Sequence, residues 1–317
     1  MNYQDFCIYI KDNIKDYLPG RYEDCEVELK STVKNNSVTK QGIMLNVPGT
    51  YLTPVMYLEQ LYDMYDDGYS LDSLCEVAAE RYNNLIENPE VSIIDFKDYD
   101  SVKDKILPVV ISAKDNKSQL NDRPHKRIDD LAVTYQIEME RVDDSVGTVA
   151  VGNGMMEVWG VTTDEIHNAA IENQKEKYPP SLCKMEDILF GEPTNFLETG
   201  ELIKDDTPEM YVLKSGREVY GAAVISDPVV MEDVSKVLDD SFIILPSSVH
   251  ECIILPQKAC IEAGFNPKEL GKMVREVNSG EVNKEERLSD HVYSYSKETK
   301  MIESIKESKN RSVDMER

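Results

Sequence analysis

The sequence lacks any long apolar segment. Its longest apolar runs, residues 242–246 and 252–256, are far shorter than the roughly 20 residues that a transmembrane helix requires. Residues 1–18 also lack the continuous apolar stretch of a signal peptide, because charged residues such as Asp5 and Lys11 interrupt it. These absences argue against a membrane span and predict a cytoplasmic protein.

Motifs for metals and cofactors are also missing. The six cysteines are scattered and form no Cys-x-x-Cys pair, which is typical of reduced thiols in a reducing compartment rather than of a zinc site. Gly147, Gly152 and Gly154 follow an apolar run, but they lack the third glycine of a dinucleotide fingerprint and the lysine of a phosphate-binding loop. We therefore expect no cofactor and no metal.

Basic residues are few relative to acidic residues. The 317 residues include 60 acidic and 35 basic side chains, which gives a net charge of -25, and the acidic excess extends over the whole chain. Such a surface repels phosphates and anionic membranes, so we expect a basic protein as the partner and no direct contact with nucleic acid or membrane. One cationic cluster, residues 123–127, stands out, and a solvated loop is favoured there over a binding role.

The apolar residues recur with the periods of both helices and strands. Spacings of three and four indicate helices over residues 2–18, from Pro54 onward and over 71–87, and a β-hairpin fits between the first two. The predicted fold is α+β, with an N-terminal helical and hairpin region followed by two α+β layers with mainly antiparallel sheets. The predicted divisions are an N-terminal α+β region (1–190), a linker (191–209), a C-terminal layer (210–296) and a polar tail (297–317).

The C-terminal layer is predicted to have the element order β-β-α-β-β-α-β. Its elements are strands at 210–215, 219–226, 242–246, 250–256 and 289–295, and helices at 228–239 and 266–278. Upstream of this layer, the apolar run 107–111 predicts a central strand, and the polar residues 113–129 predict a loop. The polar tail is expected to be a frayed helix or a disordered segment.

The C-terminal half also carries a series of short motifs. They are Gly221-Ala222-Ala223, the run 245–251, Ile254-Leu255-Pro256 and the run 288–293. With these motifs the sequence resembles the bacterial family called domain of unknown function 5688, over nearly the whole chain. The resemblance implies a cytoplasmic protein of gut clostridia that is often encoded near mobile elements, and it implies no established activity, cofactor or catalytic residue. A weaker likeness in element order, to domain of unknown function 1444, implies that the chain contains two related layers.

Two dipeptides combine an imidazole with a carboxylate: His250-Glu251 and Asp290-His291. They fall near the starts of two predicted strands, and if those strands pair, the side chains form a general acid–base pair or a partial divalent metal site. Because successive strand residues point to opposite faces, at most one member of each dipeptide faces a common pocket. Histidines in such positions more often make structural hydrogen bonds, and that interpretation is favoured.

Two functions from different classes remain open on this sequence. The favoured hypothesis is a non-catalytic binding or regulatory protein whose acidic surface engages a basic partner, presenting carboxylates as DNA presents phosphates, with a link to mobile elements. The alternative is a hydrolase or metal-dependent enzyme with His250, Glu251, Asp290 and His291 as its catalytic residues. The oligomeric state is open as well.

Overall fold

The computed structural model describes residues 1–48, 53–87, 94–142, 145–203, 209–246 and 248–305. Helices and mainly antiparallel sheets both contribute, which confirms the predicted α+β fold. The chain forms two compact units, which we call the first unit (residues 1–102 and 137–149) and the second unit (residues 103–136 and 150–317). The sequence-based division at residues 191–209 stays a prediction, and the two units are described separately below.

In its described residues, the first unit combines three α-helices with a small antiparallel sheet. Its helices are Tyr3–Asn13 (α1), Glu59–Asp66 (α2) and Leu71–Glu87 (α3). Its strands are Glu26–Val33 (β1), Thr39–Asn46 (β2) and Met56–Tyr57 (β3), in the order β1-β2-β3. The predicted hairpin is therefore confirmed, with Glu26 opposite Asn46 and Val33 opposite Thr39.

Local sequence explains where the helices of the first unit begin. Asn2 caps α1 by accepting a hydrogen bond from the backbone N–H of Asp5, and Ser70 caps α3 by accepting one from that of Ser73. Each helix then buries its apolar stripe in one common core. The largest fully buried side chains of this core are Phe6, Ile10, Ile14, Ile43, Leu45, Leu58, Leu61 and Tyr82.

The strands in the described part of the remaining chain form two sheets. Ile106–Ser112 (β4), Lys126–Ile128 (β5), Leu131–Val142 (β6) and Ser145–Ala150 (β7) form a sheet of order β4-β6-β5, with β7 also paired to β6. Pro180–Lys184 (β8), Tyr211–Ser215 (β9), Phe242–Leu245 (β10), Cys252–Pro256 (β11), Tyr293–Tyr295 (β12) and Ile302–Ser304 (β13) form a sheet of order β13-β12-β10-β11-β9-β8. Residues 137–149 of β6 and β7 belong to the first unit.

The helices of the second unit are mostly short. They are Lys117–Leu120 (α4), Asn153–Trp159 (α5), Thr163–Lys177 (α6), Met185–Phe190 (α7), Phe196–Thr199 (α8), Pro228–Leu238 (α9), Gln257–Glu262 (α10) and Pro267–Gly280 (α11). A capping box begins α6, since the side chains of Thr162 and Glu165 each accept a hydrogen bond from the other's backbone N–H group. None of the helices in the described ranges combines the length and the apolarity that crossing a membrane requires.

Several predicted elements of the second unit were wrong in type or position. The run 107–111 lies in β4, which ends its sheet instead of occupying the centre. It is nevertheless fully buried, and α6 packs along it, where Asn173 donates to the carbonyl of Ile106 at 2.9 Å. Residues 113–129 contain α4 and β5 instead of forming one loop. The apolar content of residues 107–111 therefore predicted their burial correctly, but it did not predict the position of the strand in the sheet.

Residues 219–226 were predicted as a strand, but Gly221–Ser226 is a fully buried 3-10 helix. A short apolar run has no polar positions that reveal its period, so a strand and a short helix cannot be distinguished in the sequence. The predicted polar tail contributes β13, while residues 306–317 lie outside the described residues. The predicted strands 250–256 and 289–295 are shorter than expected and begin at Cys252 and Tyr293.

Candidate functional site

The two predicted dipeptides lie in loops that precede β11 and β12. Both strands pair with β10, on opposite sides of it, so β11 and β12 do not pair with each other. The condition under which the dipeptides would form one site is therefore not met. Within the described residues, no hydrogen bond or ion pair joins His250 or Glu251 to Asp290 or His291.

His250 holds neighbouring loops together. Its Nδ1 accepts a hydrogen bond from the backbone N–H of Tyr220 at 3.4 Å, and its Nε2 lies 3.6 Å from Oε1 of Glu286. Because Nδ1 is the acceptor, the neutral ring carries its proton on Nε2, facing Glu286. The backbone N–H of His250 donates to Oγ of Ser248 at 3.0 Å. These contacts favour the structural interpretation of His250.

The two acidic members of the dipeptides have different surroundings. Glu251 is half-buried, and its side chain makes no hydrogen bond to any residue in the described ranges. Asp290 is exposed, and its Oδ1 accepts from the side-chain amide of Asn278 at 2.9 Å. The same amide donates to the carbonyl of Ser289. Asp290 therefore ties the loop before β12 to α11, and the two carboxylates do not meet.

His291 belongs to a hydrogen-bonded cluster that the sequence did not reveal. Its Nδ1 lies 2.6 Å from Oδ2 of Asp130, and the hydroxyl of Tyr293 donates to Oδ1 of the same carboxylate at 2.5 Å. The Tyr293 hydroxyl also lies 2.7 Å from Oγ of Ser289. Burial, and next the hydrogen bond to Asp130, raise the pKa of Tyr293 far above its ordinary value. We call Asp130, Ser289, His291 and Tyr293 the Asp130 cluster.

The contact with Asp130 indicates which nitrogen of the His291 ring carries the proton. An ionised carboxylate only accepts hydrogen bonds, so the proton of His291 lies on Nδ1 and Nε2 keeps a free lone pair. Nε2 makes no hydrogen bond within the described part of the chain, and the side chain is 58% exposed. A carboxylate that fixes an imidazole tautomer in this way leaves the other nitrogen as a general base. A substrate in solution would have access to it.

Asp130 was missed because its role depends on distant parts of the chain. It lies in the turn between β5 and β6, 161 residues from His291 in sequence. Its neighbour Asp129 has a left-handed backbone with φ of 50° and accepts a hydrogen bond from the backbone N–H of Ser304. Two aspartates between short strands indicate a turn. No sequence signal pairs such a turn with the start of β12.

A second feature lies in the first unit, on α2, α3 and the turn between them. Residues 59–80 contain no lysine or arginine, and six of their acidic residues are exposed. We call these six residues the acidic helical face: Asp63, Asp66, Asp67, Asp72, Glu76 and Glu80. None of the six forms an ion pair with another residue of the described ranges. Their charges therefore face solvent uncompensated.

The basic residues of the cationic cluster, residues 123–127, have different surroundings. Lys126 forms an ion pair with Asp164 at 3.0 Å, and exposed Arg127 donates to the carbonyl of Asp129 at 3.2 Å. Arg123 is partly buried, and burial lowers its pKa. One of its charges is thus paired with a carboxylate of the chain itself.

His167, on α6, occupies a partly buried polar position in the second unit. Its Nδ1 lies 3.2 Å from the hydroxyl of Tyr135. Burial lowers the pKa of His167, the charge of Lys126 lowers it further, and Asp164 and Asp227 oppose the shift. The imidazole is therefore neutral over a wider pH range than a free histidine.

Thiols and metal-ligand groupings add no further site. All six cysteines are buried, and burial raises the pKa of Cys252 to about 12. In the described ranges, no group of three or more His, Cys, Asp or Glu side chains is arranged to hold a metal ion.

Together these features define an α+β protein with antiparallel sheets, a carboxylate–imidazole cluster and an acidic helical face. Residues 3–297 match a family described as a family of unknown function (DUF5688), and the chain belongs to this family. The resemblance seen in the short motifs is thereby confirmed. No curated protein and no solved structure matches the chain.

Proposed function

We propose that this chain is a non-catalytic binding or regulatory protein of the cytoplasm whose acidic helical face engages a basic protein. The observation that carries the proposal is the run of six exposed carboxylates in residues 59–80, without a lysine or arginine among them. A net charge of -25 alone serves solubility. A concentrated and unpaired group of charges on one pair of helices is a more specific feature.

The spacing on α3 supports this proposal. Asp72, Glu76 and Glu80 follow one another at intervals of four residues, so they lie on one side of the helix, one turn apart. Like charges at this spacing each destabilise a helix by about 0.2–0.5 kcal/mol. The opposite side of α3 is buried through Leu74 and Ala78. This packing fixes the orientation of the helix and keeps the three carboxylates on the side that faces solvent. A basic partner would relieve this repulsion.

The chemistry of the partner follows from the charge. A surface rich in lysine and arginine matches a row of carboxylates, and such surfaces are typical of proteins that bind nucleic acid. The acidic helical face would then occupy the surface that otherwise contacts phosphates. A nucleic-acid enzyme or regulator of a mobile element fits this description and agrees with the genomic setting that the family resemblance implies.

The proposal is tested with two variants of equal charge. The clustered variant carries Asp63→Asn, Asp66→Asn, Asp67→Asn, Glu76→Gln and Glu80→Gln. The dispersed variant carries Glu157→Gln, Glu172→Gln, Glu176→Gln, Glu192→Gln and Glu198→Gln, all at exposed positions of the second unit. We expect the clustered variant to bind decalysine, and any basic protein captured from lysate, roughly tenfold more weakly than the wild type, because attraction between opposite charges falls steeply with distance.

The dispersed variant controls for net charge and should retain most of the affinity, measured by fluorescence anisotropy at two salt concentrations. The clustered variant should be no less stable than the wild type, since it removes repulsive pairs. Equal losses for both variants would show that the acidic helical face has no special role. A captured partner that duplex DNA does not displace would contradict the proposed competition with phosphates.

The Asp130 cluster favours a second candidate function, that of a hydrolase acting by general base catalysis. His291 would be the base through Nε2, and Asp130 would orient the imidazole through the 2.6 Å contact with Nδ1. Relative to the sequence-based alternative, this version keeps His291 and replaces Asp290 by Asp130. It assigns His250 and Glu251 no catalytic role, because they lie in a separate loop with separate partners.

If the second candidate is correct, a panel of activated carboxylic and phosphoric esters will contain a substrate that the purified protein hydrolyses. His291→Ala should then lower kcat at least about a hundredfold, the typical contribution of a positioned base. Asp130→Asn should lower kcat as well and change its pH profile, because the imidazole tautomer is no longer fixed. His250→Ala is the matched control and should retain the rate. Hydrolysis that survives His291→Ala, or an entirely inactive panel, would eliminate this candidate.

A further inference from the structure

Strand β1 forms one edge of the sheet of the first unit. It pairs with β2 on one side only, and β3 lies on the far side of β2. The register runs without interruption from Glu26 opposite Asn46 to Val33 opposite Thr39, so β1 contains no bulge, and residues 26–33 contain no proline. Proteins often place such features on edge strands, because an open edge can pair with another strand. Without them, β1 is able to accept one.

The contacts of the hairpin show which backbone groups of β1 point outward. In an antiparallel pair, residues whose N–H and C=O groups bond to the neighbouring strand alternate with residues whose groups point away from it. At the turn, the N–H of Lys34 bonds to the carbonyl of Val38. Further along, the N–H of Leu45, opposite Val27, bonds to the Tyr82 hydroxyl and not to β1. The outward groups of β1 therefore belong to alternate residues, namely Val27, Leu29, Ser31 and Val33.

These outward groups have no partner in the described part of the chain. Among the described residues, no hydrogen bond joins the backbone N–H or C=O of any of the four residues to another residue. Lys30, Ser31 and Val33 are exposed, and Leu29 is only partly buried. Backbone groups in contact with solvent bond to water, and a second strand can replace that water along the edge.

The charges on β1 favour one register for the second strand. Because side chains alternate between the faces of a strand, the even-numbered residues share one face: Glu26, Glu28, Lys30 and Thr32. If two copies of β1 pair antiparallel with Leu29 opposite Leu29, Glu28 of each copy lies opposite Lys30 of the other. The same register places the outward groups of Val27 opposite those of Ser31. Each pair of residues with facing outward groups exchanges two hydrogen bonds.

The neighbouring registers that keep outward groups opposite each other are less favourable. A shift in one direction places Lys30 opposite Lys30, and a shift in the other places Glu28 opposite Glu28, and like charges directly opposite each other repel. Lys30 forms no ion pair with any residue in the described ranges. The Glu28 carboxylate accepts a hydrogen bond from the side-chain amide of Asn46 but pairs with no cation of the described residues. Both charges are therefore available to a second copy.

We propose that the outer edge of β1 is a docking surface for a second copy of this chain, with the two β1 strands antiparallel around Leu29. The two sheets, each of three strands, then form one continuous sheet across the dimer. The surface contains no residue of α2 or α3, so it goes beyond the function proposed for the acidic helical face. Pairing of two strand edges buries little surface, so we expect a weak dimer with a dissociation constant of roughly 10–100 µM.

The test is sedimentation velocity of the full chain over a range of concentrations in about 150 mM salt, which screens the repulsion between two negative molecules beyond about 8 Å. Lys30→Glu and Glu28→Lys each place like charges opposite each other on both sides of Leu29. We expect either variant alone to dimerise at least about tenfold more weakly than the wild type. The matched control is Lys268→Glu, which makes the same charge change at an exposed position of the second unit. It should alter the dissociation constant by less than about twofold.

An equimolar mixture of Lys30→Glu and Glu28→Lys tests the register itself. In a mixed pair, every glutamate at these positions again lies opposite a lysine, so the mixture should dimerise about as well as the wild type. Such a rescue requires both variants to be folded, which separates loss of pairing from loss of structure. A wild type that stays monomeric at about 500 µM, well above the expected dissociation constant, overturns the proposal. It is also overturned if the mixture remains monomeric where the wild type dimerises, or if Lys268→Glu weakens the dimer as much as Lys30→Glu.

Discussion

Gly221→Ala is expected to destabilise the second unit by about 3 kcal/mol, the upper part of the range for a side chain forced into a closed space. A Cβ at this position would lie close to the carbonyl oxygen of His250 and 3.3 Å from the carbonyl oxygen of Ser215. Both contacts are with backbone, so rotation of a neighbouring side chain cannot relieve them. Urea denaturation followed by circular dichroism measures the loss.

Gly154→Ala is the matched control for this prediction. It introduces the same methyl group in α5, where no described atom other than those of the chain neighbours and of the helix's own backbone lies within 4 Å of the new Cβ. Alanine favours a helix over glycine, so this variant should gain up to about 1 kcal/mol. If Gly221→Ala were as stable as the wild type, the loop of His250 would not be packed against residue 221 as described.

Tyr82→Phe should destabilise the first unit by about 2–4 kcal/mol, although it removes a single oxygen atom. The hydroxyl accepts a hydrogen bond from the backbone N–H of Leu45 at 2.7 Å and donates one to the carbonyl of Pro54 at 2.8 Å. Tyr82 and Leu45 are both fully buried, and each backbone group left without its partner costs about 1–3 kcal/mol. Burial raises the pKa of Tyr82 to about 12, so the hydroxyl is neutral and able to donate at pH 7.

Tyr69→Phe provides the comparison for Tyr82→Phe. Tyr69 is 53% exposed, and its hydroxyl makes no hydrogen bond within the described part of the chain, so its loss should change stability by less than about 0.5 kcal/mol. Urea denaturation of both variants gives the difference. Similar losses for the two variants, or none for either, would contradict the role of Tyr82 as the link between β2 and the segment before β3.

Local patterns in the sequence predicted much of the helical structure. The spacing of Thr162 and Glu165 is that of a capping box, which starts α6, and Ser70 is a typical cap residue directly before α3. The alternation in residues 26–30 and the turn residues at 35–37 predicted the first hairpin. These signals are reliable because the interacting residues are close in sequence, so the chain alone specifies their geometry.

The candidate site was predicted only in part. His291 was selected because histidine is scarce and a carboxylate adjoins it, but the adjoining Asp290 bonds to Asn278 while Asp130 contacts the imidazole. The pairing on which a common site depended does not occur, because β10 lies between the strands that follow His250 and His291. Sequence order does not determine which strand is inserted between two others. A site whose residues come from segments far apart in sequence therefore cannot be predicted before the order of the strands in the sheet is known.

By itself, the sequence determined the α+β class, the amphipathic helices, the family and the acidic excess. These properties follow from composition and from contacts between residues that are near neighbours in the chain. Only the tertiary structure decided that Asp130 meets His291, that the Arg217 guanidinium lies over the Tyr220 ring, and that residues 221–226 form a 3-10 helix instead of a strand. Such outcomes depend on packing between segments far apart in sequence, because burial and hydrogen-bond satisfaction are optimised over the whole unit and not within one segment.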